Sequence, residues 1–313
     1  MSALPFSRVW RGLLVLSPGI VLRALRFGPG DAQKKLRSSY GLVAPLEGWE
    51  SVEPDPLLPT VPIDELLGPT RGAGPPDGAE AGPGQGADPS PPPSRPQVTV
   101  APTHVGDDGS LAPWELLCVL MLARNRNPRG ILEIGTYFGT TAYNLALNLP
   151  HTHIHTVDLD PRVGAGAGTE ASTHGEVQPG LALPADDFHL IRNRRLGEDF
   201  LNTPEARRIT QHLGDSARVD LSAAAGKVTF CFIDGSHTYE YARNDTLRAV
   251  ELLPSPGTLV WHDCSPAHPG VMKWLREMAT AGVAVRRVRG TTLAVADIDP
   301  ADAAVKSLLQ RAS

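Results

Sequence analysis

Cysteine is scarce in this chain. Only Cys118, Cys231 and Cys264 occur in 313 residues, too few and too scattered for a disulfide framework or a thiolate zinc site. Two of the three lie inside apolar runs and read as reduced core residues of a cytoplasmic protein. No stretch reaches the roughly 18 uninterrupted apolar residues of a membrane span. Excess positive charge is missing too: 29 basic against 34 acidic side chains leave a net charge of −5, which argues against a nucleic-acid binder. Residues 9–25 are apolar, but Arg11, Arg23 and the Pro18-Gly19 break interrupt them. With no small-x-small cleavage site nearby, no signal peptide is expected.

What is present is enough apolar material for a real core, 41% of residues, on a length that allows one large domain or two small ones. Gly and Pro, 31 and 30 residues, approach a fifth of the chain, and the excess is local. From Arg71 to Pro96 about half the residues are Gly or Pro and none is a large hydrophobe. Such a segment cannot bury enough surface to offset the entropy of ordering, so it reads as a flexible linker. A second stretch rich in Gly, Ala, Thr and Ser, residues 163–184, reads as a surface insertion. Residues 1–40 carry Arg8, Arg11, Arg23, Arg26, Lys34, Lys35 and Arg37 against Asp31 alone. A basic arm of this kind is able to touch anionic lipid or an acidic partner; the plainer alternative is a helical arm packed on its own domain. The expected organisation is a basic arm over 1–70, a linker over 71–97 and one folded domain over 98–313. On that reading, removal of residues 1–96 leaves the domain intact. The oligomeric state stays open, a homodimer included.

Beyond the linker the pattern alternates. Ser110, Pro113 and the apolar spacing that follows predict a capped helix to about Asn125. Strands are predicted at 131–134, 153–157, 210–213, 227–233 and 257–261, and helices at 140–147, 241–253 and 270–281. Residues 283–288 and 291–296 read as a final strand pair joined at Arg289-Gly290. Alternating strands and helices give an α/β fold: a doubly wound, mainly parallel sheet with a terminal antiparallel pair.

In such a sheet, ligands bind at the carboxyl ends of the strands. The first end carries Glu133, Gly135, Thr136, Tyr137, Gly139 and Thr141, a glycine turn opening a helix. Asp158 closes the next strand about 20 residues on, where an acid accepts hydrogen bonds from ribose hydroxyls. Gly214-Asp215-Ser216 is able to bond an adenine amino group, but taken alone it reads as a generic turn. Asp234-Gly235-Ser236-His237 and His262-Asp263-Cys264 follow the last two parallel strands. Two acids at adjacent strand tips lie within reach of a hard cation, and His237 is suited to general-base work near neutrality. The alternatives are that Asp234 only contacts cofactor, Asp263 caps a helix and His237 anchors a loop.

Taken together and in this order, these motifs resemble the class I S-adenosylmethionine-dependent methyltransferases. The nearest pattern is the methyltransferase 24 type, whose relatives include macrolide-sugar and catechol-type O-methyltransferases. The likeness covers about residues 98–298 and implies a Rossmann-like domain. It further implies that Glu133 and Gly135 line the methionine end of S-adenosyl-L-methionine, with Thr136, Tyr137, Gly139 and Thr141 in the same loop. Asp158 would hold the ribose, while Asp215 and Ser216 border the adenine. Thr103-His104-Val105-Gly106-Asp107 is similar to a loop that covers the cofactor in catechol-type enzymes. Asp234 and Asp263 match two metal-ligand positions there, for Mg²⁺ or another divalent cation, with His262 as an added candidate. Two departures stand out: Cys264 replaces an Asn of catechol-type enzymes, and His262 an Asp of the sugar-modifying relatives.

The implied reaction is in-line transfer of a methyl group to an oxygen of a small-molecule acceptor, with Asp234 and His237 as catalytic residues and His237 as base. Two rivals differ from it. An NAD-dependent oxidoreductase predicts a G-x-G-x-x-G turn that Gly135-Thr136-Tyr137 lacks, and it leaves the terminal strand pair unexplained. A non-catalytic methyltransferase-like scaffold binds cofactor without turning it over.

Overall fold

The computed structural model describes residues 55–67, 97–106, 109–160 and 195–310. The linker core, the 163–184 insertion and the basic 1–40 segment lie outside these residues. The described strands form one sheet: β1 (Thr60–Val61), β2 (Gly130–Ile134), β3 (His153–Asp158), β4 (Ile209–Leu213), β5 (Phe230–Ile233), β6 (Gly257–Trp261), β7 (Arg286–Val288) and β8 (Ala294–Ile298). Their spatial order is β1-β7-β8-β6-β5-β2-β3-β4. Every pair from β6 to β4 is parallel, while β8 runs antiparallel to both β6 and β7. This is the doubly wound sheet with a terminal antiparallel pair that the sequence predicts.

Strands β2, β5 and β6 are buried along their whole length, as central parallel strands covered on both faces must be. Their side chains alternate between two cores. Leu132, Ile134, Cys231 and Ile233 face a layer with α4 (Tyr239–Leu252), α5 (Pro269–Thr280) and α6 (Ala303–Gln310). Ile131, Phe230 and Phe232 face a layer with α1 (Ile63–Leu67), α2 (Pro113–Arg126) and α3 (Thr140–Asn148). The three thiols are all buried and unpaired, and burial pushes Cys118 and Cys264 up to about 12.

Several elements depart from expectation. The helix α2 is capped at Ala112, not Ser110: the Ala112 N–H donates to Glu115 Oε2 at 3.3 Å, and Pro113 occupies the first helical position. Strand β5 begins at Phe230, because Lys227 still closes a turn onto the Ala224 carbonyl. Helix α6 is absent from the sequence reading; it is eight residues long and buries only Val305 and Leu308.

The largest correction concerns the N-terminal side. Residues 1–70 are expected to stand outside the domain, yet 55–67 belong to its sheet. Strand β1 pairs parallel with β7 through Thr60↔Arg287 and Val61↔Val288. Leu58, Leu66 and Leu67 are buried against the two cores, and Asp55 accepts from Arg276 on α5 at 2.7 Å. Residues 97–106 then run along α3, held by two asparagines one turn apart. Asn148 exchanges both its amide hydrogen bonds with the Thr99 backbone, and Asn144 does the same with Ala101.

Candidate active site

A cavity of about 370 Å³ opens at the carboxyl ends of β2, β3, β4, β5 and β6. It lies over the adjacent strands β2 and β5, where the connection leaving β2 runs to β3 on one side and the one leaving β5 runs to β6 on the other, the place where doubly wound sheets bind ligands. Gly135, Tyr137, Asp158, Asp215, Ser216, Asp234, His237, His262 and Asp263 all line it. Val105, Glu133, Thr136, Gly139 and Thr141 do not; they are packed behind its wall.

The wall starts with the glycine turn. Gly135 has φ +101°, and a Cβ there would sit 2.0 Å from the Asp234 carbonyl oxygen, so only glycine fits between the tips of β2 and β5. Tyr137 follows with φ +48°, an uncommon conformation for a residue with a Cβ. It is held there from β3: the Tyr137 N–H donates to Asp158 Oδ2 at 2.8 Å, and the Leu159 N–H donates to Asp158 Oδ1 at 2.7 Å. Asp158 therefore faces the cavity and orients the glycine turn at once.

Behind the turn, Glu133 is completely buried. The Thr156 hydroxyl donates to Glu133 Oε2 and also meets Thr136 Oγ1 at 2.6 Å, while Glu133 Oε1 has no partner. Burial pushes the Glu133 carboxyl up to about 8; the Thr156 bond opposes this and the charges of Asp234 and Asp158 add to it. Gly139 caps α3, and Thr141 lies in its buried first turn. Val105 turns into the core beside α2, whereas Gly109 and Ser110 reach the cavity. His104 stacks on Phe138 with ring centroids 4.1 Å apart, and its Nδ1 lies 2.6 Å from Asp199. Asp107 lies outside the described residues.

On the adenine-type side, Asp215 Oδ1 accepts from the Tyr241 hydroxyl at 3.1 Å and from the Ala217 N–H at 2.9 Å. Ser216 bonds the buried Asp245, whose carboxyl burial raises to about 6. Tyr241 lines the cavity and is a residue the sequence reading does not single out.

At the tips of β5 and β6 a dense ionic cluster forms. His262 Nδ1 lies 2.9 Å from Asp234 and 3.1 Å from Asp263; its Nε2 lies 3.2 Å from Glu115 Oε2. Burial alone would discharge His262, but the carboxylates of Asp234 and Asp263 outweigh it and hold the ring as an imidazolium. Glu115, also bound by the Thr292 N–H and hydroxyl, is held below the usual carboxylate range by His262 against the opposing effect of burial. Asp263 has φ +57° and is shared: His237 Nε2 is 2.7 Å from its Oδ2, and His268 Nδ1 is 3.1 Å from its Oδ1. Nothing in the sequence points to Glu115 or His268. Glu115 reads as a helix-cap residue 147 positions away from His262, and His268 as the residue before a Pro-Gly helix start.

Mg²⁺ wants several oxygen ligands, whereas Asp234, His262 and Asp263, whose ligand atoms lie within 4.8 Å of one another, offer two carboxylates and a ring nitrogen. The buried Cys264 thiol packs on Met272 Sδ at 3.4 Å, where a third oxygen ligand would be needed. Asp234, His262 and Asp263 do not fit Mg²⁺ as they stand.

Residues 132–264 match a family model described as a methyltransferase domain. No curated protein sequence matches the chain. Among solved structures, the O-methyltransferase TomG from Streptomyces achromogenes, involved in tomaymycin synthesis and bound to SAM, is similar at 19% identity, over 62% of this chain and 83% of that one, with a TM-score of 0.39. The O-methyltransferase from Bacillus cereus in complex with SAH is similar at 12% identity, over 61% and 83%, with a TM-score of 0.38. The SAH-bound methyltransferase PaMTH1 of Podospora anserina is similar at 15% identity, over 61% and 81%, with a TM-score of 0.37. The stretch similar to a methyltransferase domain, residues 132–264, contains the glycine turn, Asp158, the Asp215 turn and both strand-tip acids Asp234 and Asp263.

Proposed function

We propose that this protein transfers the methyl group of S-adenosylmethionine to a hydroxyl oxygen of a small-molecule acceptor. One observation carries the reading: a single cavity joins Asp158, set against the glycine turn, to a histidine–carboxylate pair at the neighbouring strand tips. Asp158 accepts from the ribose hydroxyls and Asp215 and Ser216 border the adenine, which directs the sulfonium toward Asp234. The carboxylates of Asp234, Asp263 and Glu115 outnumber the His262 imidazolium. The mouth therefore favours a cationic cofactor over an anionic dinucleotide.

His237 is the base in this reading. With its Nε2–H directed at Asp263, the ring carries its lone pair on Nδ1, and Asp263 stabilises the charge that appears when Nδ1 takes the acceptor's proton. Asp263 is thus a positioning residue, and His262 holds Asp234 and Asp263 in register. Most of the acceleration comes from aligning oxygen, methyl and sulfur, an effect of several kcal/mol in well-oriented reactions. No step requires a metal.

The test is incubation with S-adenosylmethionine and a panel of phenolic, sugar and polyketide alcohols, read by mass spectrometry. A product heavier by one methyl, lost or reduced about 10²–10⁴-fold in His237→Ala, is expected. Cofactor binding with no methylated product on any acceptor would favour a non-catalytic scaffold instead.

A further inference from the structure

We propose that His237, Asp263 and His268 form a site for one divalent transition ion of the zinc class, and that filling it silences methyl transfer rather than supporting it. The three donor atoms, two imidazole nitrogens and a carboxylate oxygen, all lie within 4.8 Å of one another. Two further observations point to a ligand. The buried His268 Nδ1 makes no aligned hydrogen bond and meets only Asp263 Oδ1, at an ion-pair distance of 3.1 Å. That contact is an ion-pair distance without a well-aligned hydrogen bond, so the ring nitrogen and the carboxylate oxygen stand side by side at the cavity. The frame is also rigid. A Cβ on Gly270 would come within 2.5 Å of the His237 carbonyl oxygen, so α5 starts directly against the His237 backbone. The His237 and His268 rings stack at 4.2 Å.

All three residues line the cavity, which gives an ion a way in. Two nitrogens and one oxygen suit zinc, cobalt or nickel; magnesium and calcium require oxygen. His262, bound to Asp234 and Glu115, also lies 3.1 Å from Asp263 Oδ2, which leaves Asp263 Oδ1, on the His268 side, for the ion. Silencing follows from the tautomer. A neutral imidazole that gives its Nε2 lone pair to a metal carries its proton on Nδ1, so the proton-accepting nitrogen becomes a donor. This second part rests on His237 being the base; the ion site itself does not.

The experiment uses the full chain after exhaustive chelation. Co²⁺ is titrated in and its visible ligand-field bands are followed, Zn²⁺ binding is measured by calorimetry, and S-adenosylmethionine binding is measured in parallel. One equivalent of Co²⁺ or Zn²⁺ is expected, weakened about 10–100-fold in His268→Ala and His268→Gln and unchanged in Asp234→Asn, with Mg²⁺ failing to compete. Circular dichroism checks that each variant is folded. Equal affinity in both His268 variants, or a loss in Asp234→Asn as large as theirs, overturns the site. Zn²⁺ should also slow methyl transfer without displacing the cofactor; faster turnover with Zn²⁺ overturns the silencing. A cobalt spectrum with no S-adenosylmethionine binding leaves the site standing and sinks the methyltransferase reading instead.

Discussion

Asp158 and Glu133 stand one strand apart and do opposite work with the same chemical group. Asp158 is half-exposed at the cavity and spends one carboxylate oxygen on the Tyr137 N–H. Replacing it with alanine removes ribose hydrogen bonds worth about 1.5–3 kcal/mol and frees the glycine turn. Calorimetry on Asp158→Ala should give S-adenosylmethionine binding weaker by roughly 10–100-fold in a folded protein; unchanged affinity would remove Asp158 from the cofactor site. Glu133 is sealed behind the turn with one oxygen unpartnered, and its carboxyl is pushed up to about 8 from 4.5. The folded state thus holds a proton that the unfolded chain has already released. Its contribution to stability is full below pH 4.5 and declines as pH rises to about 8, after which it is constant. Thermal melts from pH 5 to 8 should fall less steeply in Glu133→Gln than in the wild type. Parallel slopes would mean that Glu133 is ionised when folded.

The elements divide into those the sequence declares and those it conceals. The strands β2, β5 and β6 are legible because strands buried on both faces read as apolar runs, and Gly135 because no other residue fits between two strand tips. Strand β1 is two residues long with one of them buried, and α1 has five residues, too little for either period to register. These two elements are nonetheless part of the sheet and cores. Leu66→Ala should cost about 2–5 kcal/mol, as buried leucines do, and deletion of residues 1–96 should lower the melting temperature further. Chemical denaturation checks both. A deletion as stable as the full chain would make β1 and α1 dispensable. In the site, the acids at strand ends were findable by the topology rule. Glu115 and His268 were not, because each reaches the cluster from the start of a helix where capping already explains it.

At the scale of the whole molecule, one sheet brings the ends of five parallel strands into a single mouth, and residues 97–106 are strapped to α3 beside it. The terminal antiparallel pair sets β8 beside β6, which places Thr292 on Glu115 and so ties the far edge of the sheet to the ionic cluster. Asp158, Asp215, Asp234 and Asp263 line that mouth, and the proposed function predicts that they favour a cationic sulfonium cofactor over a dinucleotide. The most direct test is calorimetric titration of S-adenosylmethionine and, separately, NAD⁺ into the same purified protein. One molecule of S-adenosylmethionine should bind, be displaced by S-adenosylhomocysteine and leave no heat for NAD⁺; silence with S-adenosylmethionine, or saturable NAD⁺ binding in its place, would contradict the account.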